Sequence, residues 1–182
     1  FKSDPVSGRY LVSLPSGKNY GIAVKSNGYL FHSENFDLPK ASGYREYEKN
    51  VDLKKIEVGK AIVLRNIFFD LDKYTLRTES KTELERLNKL LIENPTLKIE
   101  LSGHTDTRGS SSHNKTLSEN RAKAVVEYLK KKGISGSRLI SAGYGEEKTI
   151  VSDADIAKMI SKEDKEEGHQ QNRRTEFKIL SK

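Results

Sequence analysis

The sequence predicts an α+β fold: helices packed against a mixed sheet, with a short β segment ahead of it. Three observations predict this. Apolar residues alternate with a period of about two at Leu97, Ile99, Leu101 and again at Thr175, Phe177, Ile179. They recur on one face at helical spacing in residues 80–93 and 112–132. The two patterns take turns along the chain, so that from Val51 the order reads β-α-β-α-β-(α)-β.

The elements follow in order. Tyr10, Val12 and Leu14 alternate before Pro15-Ser16-Gly17, and Tyr20, Ile22 and Val24 alternate next. Ser26-Asn27-Gly28 marks a tight turn ahead of Tyr29 and Phe31. Three such strands cannot close a sandwich alone, so Tyr10, Ile22 or Tyr29 is expected to be covered by the rest of the chain or by upstream sequence. The polar stretch from Ala41 to Asn50 reads as a linker, which divides the chain into residues 1–50 and 51–182. Residues 61–69 (AIVLRNIFF) are apolar on both alternating faces, as a central strand should be. Ser80 to Glu93 has a capping-box start at Ser80 and Glu83, a Leu84, Leu87, Leu91 face and an Asn94-Pro95 stop. A second helix spans about Ser112 to Lys132 and ends at Gly133. Leu139 to Ala142 is a third strand of the domain, Asp153 to Glu167 a charged helix, and Thr175 to Ile179 the last strand.

Composition narrows the function. The chain has 182 residues, 34% hydrophobic and 32% charged, enough for one full domain with a small partner segment. No apolar run approaches the ~20 residues of a membrane helix. The chain starts at Phe1 and shows no signal peptide, as expected of a piece of a longer protein. The absence of cysteine excludes disulfides, thiolate metal sites and cysteine nucleophiles. The net charge of +7 is dispersed, and the single basic run, Lys130–Lys132, falls where cations suit a helix C-terminus, which argues against nucleic acid.

Two polar features remain. Gly103-His104-Thr105-Asp106-Thr107-Arg108-Gly109 follows a strand, so glycines bracket a turn at the C-terminal sheet edge that ligands favour. Arg121 lies within the helical stripe of Leu117, Ala124, Val125 and Tyr128, with Asn114 two turns earlier on the same side. An inward-facing arginine needs an acceptor, and Asp106 is the natural candidate. The pair has two uses: an internal salt bridge that fixes the loop, or a grip on a ligand carrying an ammonium and a carboxylate on one carbon. His104 next to a glycine turn reads as structural, and no metal-ligand spacing accompanies it. Ser110–Ser112 lack a nucleophile-elbow pattern. Asp70 and Asp72 fit loop shaping better than paired acid–base chemistry. Arg173 and Arg174 precede a strand, so one should face the pocket and the other solvent. These residues favour a binding module over an enzyme; a hydrolase and a protein-interaction module are the alternatives.

Four runs carry a resemblance to a known family: Asn66–Arg77 (NIFFDLDKYTLR), Leu101–Gly109 (LSGHTDTRG), Asn114–Val126 (NKTLSENRAKAVV) and Asn172-Arg173-Arg174. In this order they closely resemble the OmpA C-terminal family, which includes OmpA, Pal and MotB, over about Val51 to Lys182. The first residues also resemble the end of the carboxypeptidase-regulatory-like sandwiches that often precede such domains. The OmpA resemblance implies non-covalent binding of peptidoglycan through diaminopimelate of the stem peptide, with no cofactor. It implies a periplasmic location, with outer-membrane association through regions outside this sequence, and other envelope proteins as further partners. It assigns the diaminopimelate ammonium and carboxylate to Asp106 and Arg121. Asp70, Leu71, Thr105, Asn114, Leu117 and Arg173 become pocket members, Asp70 and Leu71 partly through their backbone. Two departures bear on the rim: residues 151–171 are longer and richer in charge than in Pal-like members, and His169 stands near where many carry arginine.

Overall fold

The computed structural model describes residues 1–182. Strands β1 (Lys18–Val24) and β2 (His32–Leu38) pair antiparallel as a separate hairpin. The rest builds a four-stranded mixed sheet from β3 (Ala61–Val63), β4 (Lys98–His104), β5 (Leu139–Gly145) and β6 (Thr175–Ser181), in the order β3-β6-β4-β5. β4 runs parallel to β5 and antiparallel to β6, and β3 runs antiparallel to β6. Helices α1 (Lys81–Glu93) and α2 (Ser111–Lys131) follow β3 and β4; α3 (Asp153–Lys158) and α4 (Lys162–Asn172) lie between β5 and β6.

The alternation of β4 and β6 places Ile99, Leu101, Phe177 and Ile179 in the core, against Leu84, Leu87 and Leu91 of α1 and Val125 and Leu129 of α2. The central strands are therefore β4 and β6. The apolar stretch 61–69 contributes only three strand residues at the sheet edge, and its remainder is irregular, with Leu64 buried and Ile67 and Phe69 packed partly against the core. Continuous apolarity there serves a loop that leans on the core from the side. The capping box also fails to form: Ser80 makes no cap bond but uses its hydroxyl on the backbone N–H and carbonyl of Phe68, at 2.8 and 3.2 Å. Glu83 is buried and takes Arg86 at 2.9 Å instead.

Residues 10–14 form no strand and stay largely exposed. Tyr10 is 40% exposed, and the covered residues of the first segment are instead Leu30, Phe31 and Ser33. The turn at Gly28 sends the chain past residues 54–56, where the Leu30 N–H reaches the Lys54 carbonyl at 2.8 Å and the Ile56 N–H reaches the Gly28 carbonyl at 2.9 Å. Leu30 and Phe31 thereby enter the core of the mixed sheet, with Phe31 stacked on Phe177 at 6.2 Å. A two-stranded hairpin, not a sandwich, is what this segment forms.

α2 lies close on the sheet because two strand residues have no side chain. A methyl group on Gly103 of β4 would stand 2.2 Å from the Ser118 carbonyl oxygen, and one on Gly143 of β5 would stand 2.4 Å from the Glu119 backbone nitrogen. The resulting contact brings the first three turns of α2 beside the end of β4 and fixes the distance between the two polar features of the sequence.

Candidate functional site

The site is a polar recess at the end of β4, walled by two loops. The first loop, residues 69–76, lies beyond β3; the second, residues 105–110, joins β4 to α2. α2 stands behind both, and the start of β6 and α4 close the far side.

Asp106 sits at the centre and is 5% exposed. The Arg108 N–H donates to its Oδ1 at 3.1 Å, closing a tight turn. Its Oδ2 accepts from Arg108 Nε and Nη2 at 3.0 and 2.7 Å and from Arg173 Nη1 at 2.5 Å. Burial pushes the Asp106 carboxyl up, but hydrogen bonds from Arg108 and Arg173 outweigh that and hold it below the usual carboxylate range. It is thus a buried, permanently ionised carboxylate at neutral pH.

Arg121 does not pair with Asp106. Its Nε donates to the Lys73 carbonyl at 3.0 Å and its Nη2 to the Asp70 carbonyl at 3.3 Å, while the guanidinium lies 5.0 Å over the Phe69 ring. The reason is the register of α2. Its buried face is Asn114, Ser118, Ala122, Val125, Val126 and Leu129, one position round from the stripe expected, so Leu117, Arg121, Ala124 and Tyr128 occupy a half-buried flank. From that flank Arg121 reaches the first loop rather than the end of β4. Burial draws its proton affinity down, while the charges of Asp72 and Asp106 draw it up. Its Nη1 makes no hydrogen bond within the chain.

The other expected members divide between the walls. Asp70 is exposed and touches Lys73 and Arg77 with its side chain, at 3.4 and 3.9 Å, offering its carbonyl to Arg121. Leu71 is 94% exposed at the loop tip. Thr105 is buried, its N–H bound to the Gly145 carbonyl at 2.9 Å and its hydroxyl without a partner. Asn114 is buried, and its amide donates to the carbonyls of Asp106 and Arg108 at 3.3 and 3.2 Å and to Glu146 at 2.6 Å, which fixes the second loop from behind. Leu117 is half-buried on α2. Arg173 joins the centre because buried Asn172 pins the turn at residues 150–151 through three hydrogen bonds of 2.7–2.9 Å, so the chain leaves α4 aimed at Asp106. Arg174 does not face solvent as expected: its side chain is 8% exposed, paired with Glu176 and bound to the Lys148 carbonyl at 3.0 Å. His104 lies buried beneath Tyr144, with both ring nitrogens unpartnered, and burial together with the nearby Arg174 charge lowers its pKa to about 4.

Three participants had escaped the sequence reading. Arg108 is two residues from Asp106, and the glycine-bracketed turn was its signal. Glu166 of α4 spans Arg108 and Arg173, at 3.0 Å to Arg108 Nη1 and 2.7 Å to Arg173 Nη2. It precedes Arg173 by two helical turns, a spacing that could have linked them. Glu146, beyond β5, carried no signal. Asp72, at φ 58°, also ties the first loop to α2 through His113 at 2.6 Å.

Residues 68–163 match the OmpA family. Over 114 residues the chain is 38% identical to the photosystem I P700 chlorophyll a apoprotein A2 of Gloeobacter violaceus, covering 63% of this chain and 13% of that protein. It is 35% identical over 91 residues to the peptidoglycan-associated lipoprotein of Rhizobium meliloti, covering 50% of this chain and 52% of that one. The chain therefore spans about half or less of the length of these curated relatives. Its fold is similar to the periplasmic domain of Helicobacter pylori MotB (TM-score 0.55, 21% identity, 72% of this chain and 88% of that one). With a family match over more than half its length and the matching fold, the chain belongs to the OmpA family.

Proposed function

We propose that the chain binds peptidoglycan without cleaving it, and that it recognises the amino-acid end of diaminopimelate in the stem peptide. The observation that carries this is Asp106, a buried ionised carboxylate at a strand end, with a guanidinium across the recess that keeps one nitrogen unused. Support also comes from family membership and from similarity to a lipoprotein named for its peptidoglycan association. Asp106 accepts the ligand ammonium. Arg121 gives Nη1 to the carboxylate while its other nitrogens keep the first loop in place, so it both builds the site and reads the ligand. Leu71 offers apolar surface to the ligand methylenes, the free Thr105 hydroxyl an additional polar contact, and Arg173 the flank of Asp106. Asn114 and Leu117 hold and line the recess from α2.

Residues 51–182 form the binding domain in this reading, with 1–50 a preceding segment that seals its core. The domain acts in the periplasm, fastening an outer-membrane or periplasmic assembly to the wall. Calorimetric titration of matched stem peptides tests the ligand. A peptide with lysine in place of diaminopimelate should bind roughly 10²-fold more weakly, because Arg121 loses its carboxylate. Equal affinities would sink the diaminopimelate assignment. Incubation with insoluble sacculi should retain the protein and release no soluble muropeptides; accumulating fragments would reject the non-enzymatic reading.

A further inference from the structure

Arg108 and Arg173 present donors that Asp106 does not use. Arg108 turns Nε and Nη2 toward Asp106, and its outer edge, Nη1 and Nη2, meets both oxygens of Glu166 at 3.0 and 3.3 Å. Arg173 gives Nη1 to Asp106 and Nη2 to Glu166. Two guanidinium groups thus converge on one carboxylate, the geometry by which arginine forks recognise such a group. That carboxylate comes from α4, in the charged segment between β5 and β6, and its own side chain is 55% exposed. α3 touches the same loop at one more point, Thr107 to Asp153 at 2.7 Å.

We propose that Arg108 and Arg173 form a second anion subsite beside Asp106, suited to a peptide carboxylate, and that Glu166 fills it as an intramolecular competitor. The proposal rests on the reading of Asp106 as the ammonium acceptor. Asp106 itself is already shared by the two arginines; Arg173 also donates to the exposed Gln170 amide oxygen, so Glu166 is the one charged partner here that a ligand can replace without unpairing a buried charge. Glu166 belongs to an exposed pair, which holds weakly. A ligand carrying a second carboxylate, such as the C-terminal one of a stem peptide, displaces it, and one without that carboxylate leaves Glu166 in place. The competitor lowers apparent affinity by the fraction of time it occupies the subsite.

The test uses a stem tetrapeptide with a free C-terminal carboxylate and its C-terminal amide, both keeping the diaminopimelate end. Glu166→Gln should raise affinity for the free acid by about tenfold and leave the amide within about twofold. Glu163→Gln, an equal change of charge on the exposed face of the same helix, controls for the general field and should change neither peptide. No gain with Glu166→Gln, an equal gain for both peptides, or an equal gain with Glu163→Gln would overturn the competitor. A loss of affinity would overturn it too, showing that Glu166 pre-positions the arginines. Asp106→Asn separates this failure from that of the parent reading. If it abolishes binding of both peptides while Glu166→Gln does nothing, only the second subsite is wrong; if it changes neither, the ammonium assignment falls.

Discussion

The two walls of the recess both hand carbonyls to α2, but only one of them holds a buried charge. The first loop is fastened mainly by its backbone: Arg121 binds the carbonyls of Asp70 and Lys73, the one side-chain tie to α2 is the exposed Asp72–His113 contact, and the side chains of Asp70, Leu71 and Tyr74 remain exposed. The second also gives two carbonyls to an α2 side chain, Asn114, but adds a buried ion pair: the Asp106 carboxylate is held by Arg108 and Arg173. A wall fixed through carbonyls tolerates many sequences so long as one arginine remains. A wall fixed through buried charges tolerates few.

Substitutions can break or sharpen this contrast. The largest effect should come from Gly103→Ala, beneath the second wall. Its methyl would collide with helix backbone 2.2 Å away, so α2 must lift from the sheet, at a cost of about 3 kcal/mol or more in urea unfolding. Next, lowering pH from 6.5 to 4 should remove on the order of 2–3 kcal/mol through His104. Its folded pKa of about 4 lies below the ordinary 6.5, so over this window the unfolded chain takes up a proton that the folded chain refuses. His104→Phe should flatten the melting temperature over that range. Asp106, held low by its arginines, adds a loss only below the usual carboxylate range. Asp106→Asn should cost about 2 kcal/mol at neutral pH, since a buried charge-assisted acceptor is weakened. Arg121→Lys should cost about 1 kcal/mol overall but should sharply raise amide exchange at residues 70–74, because a point ammonium cannot serve two carbonyls. Leu71→Ala should change stability by less than about 0.5 kcal/mol, as befits an exposed tip. If Leu71→Ala proves as damaging as Asp106→Asn, the contrast between the walls is false.

Much of the fold could be read from periodicity, and the misreadings share a cause. Lys98–His104, Ser111–Lys131 and Thr175–Ser181 stood out because one face of each is apolar and the other is not. Residues 61–69 misled because apolarity on both faces describes a buried strand and a loop leaning on a core equally well. Ser80 misled because a hydroxyl at capping distance had a nearer backbone partner in Phe68. At the site, the family resemblance grouped Asp106, Asn114 and Arg173, which do meet, whereas the expected pairing of Arg121 with Asp106 does not form. One position of helical rotation decides whether an arginine meets the end of β4 or the neighbouring loop, and the apolar pattern of α2 leaves that rotation open. Glu166 was hidden because its relation to Arg108 is tertiary.

The placement of Leu30 and Phe31 has a mechanical consequence. A load applied to the chain ahead of Tyr29 does not arrive at the sheet through a slack tether. It arrives at two side chains wedged beside Phe177 and at two backbone hydrogen bonds, Leu30 to Lys54 and Ile56 to Gly28. Phe177 lies on β6, four residues after Arg173, whose side chain meets Asp106. Tension on the first segment and occupancy of the recess therefore act on one and the same strand.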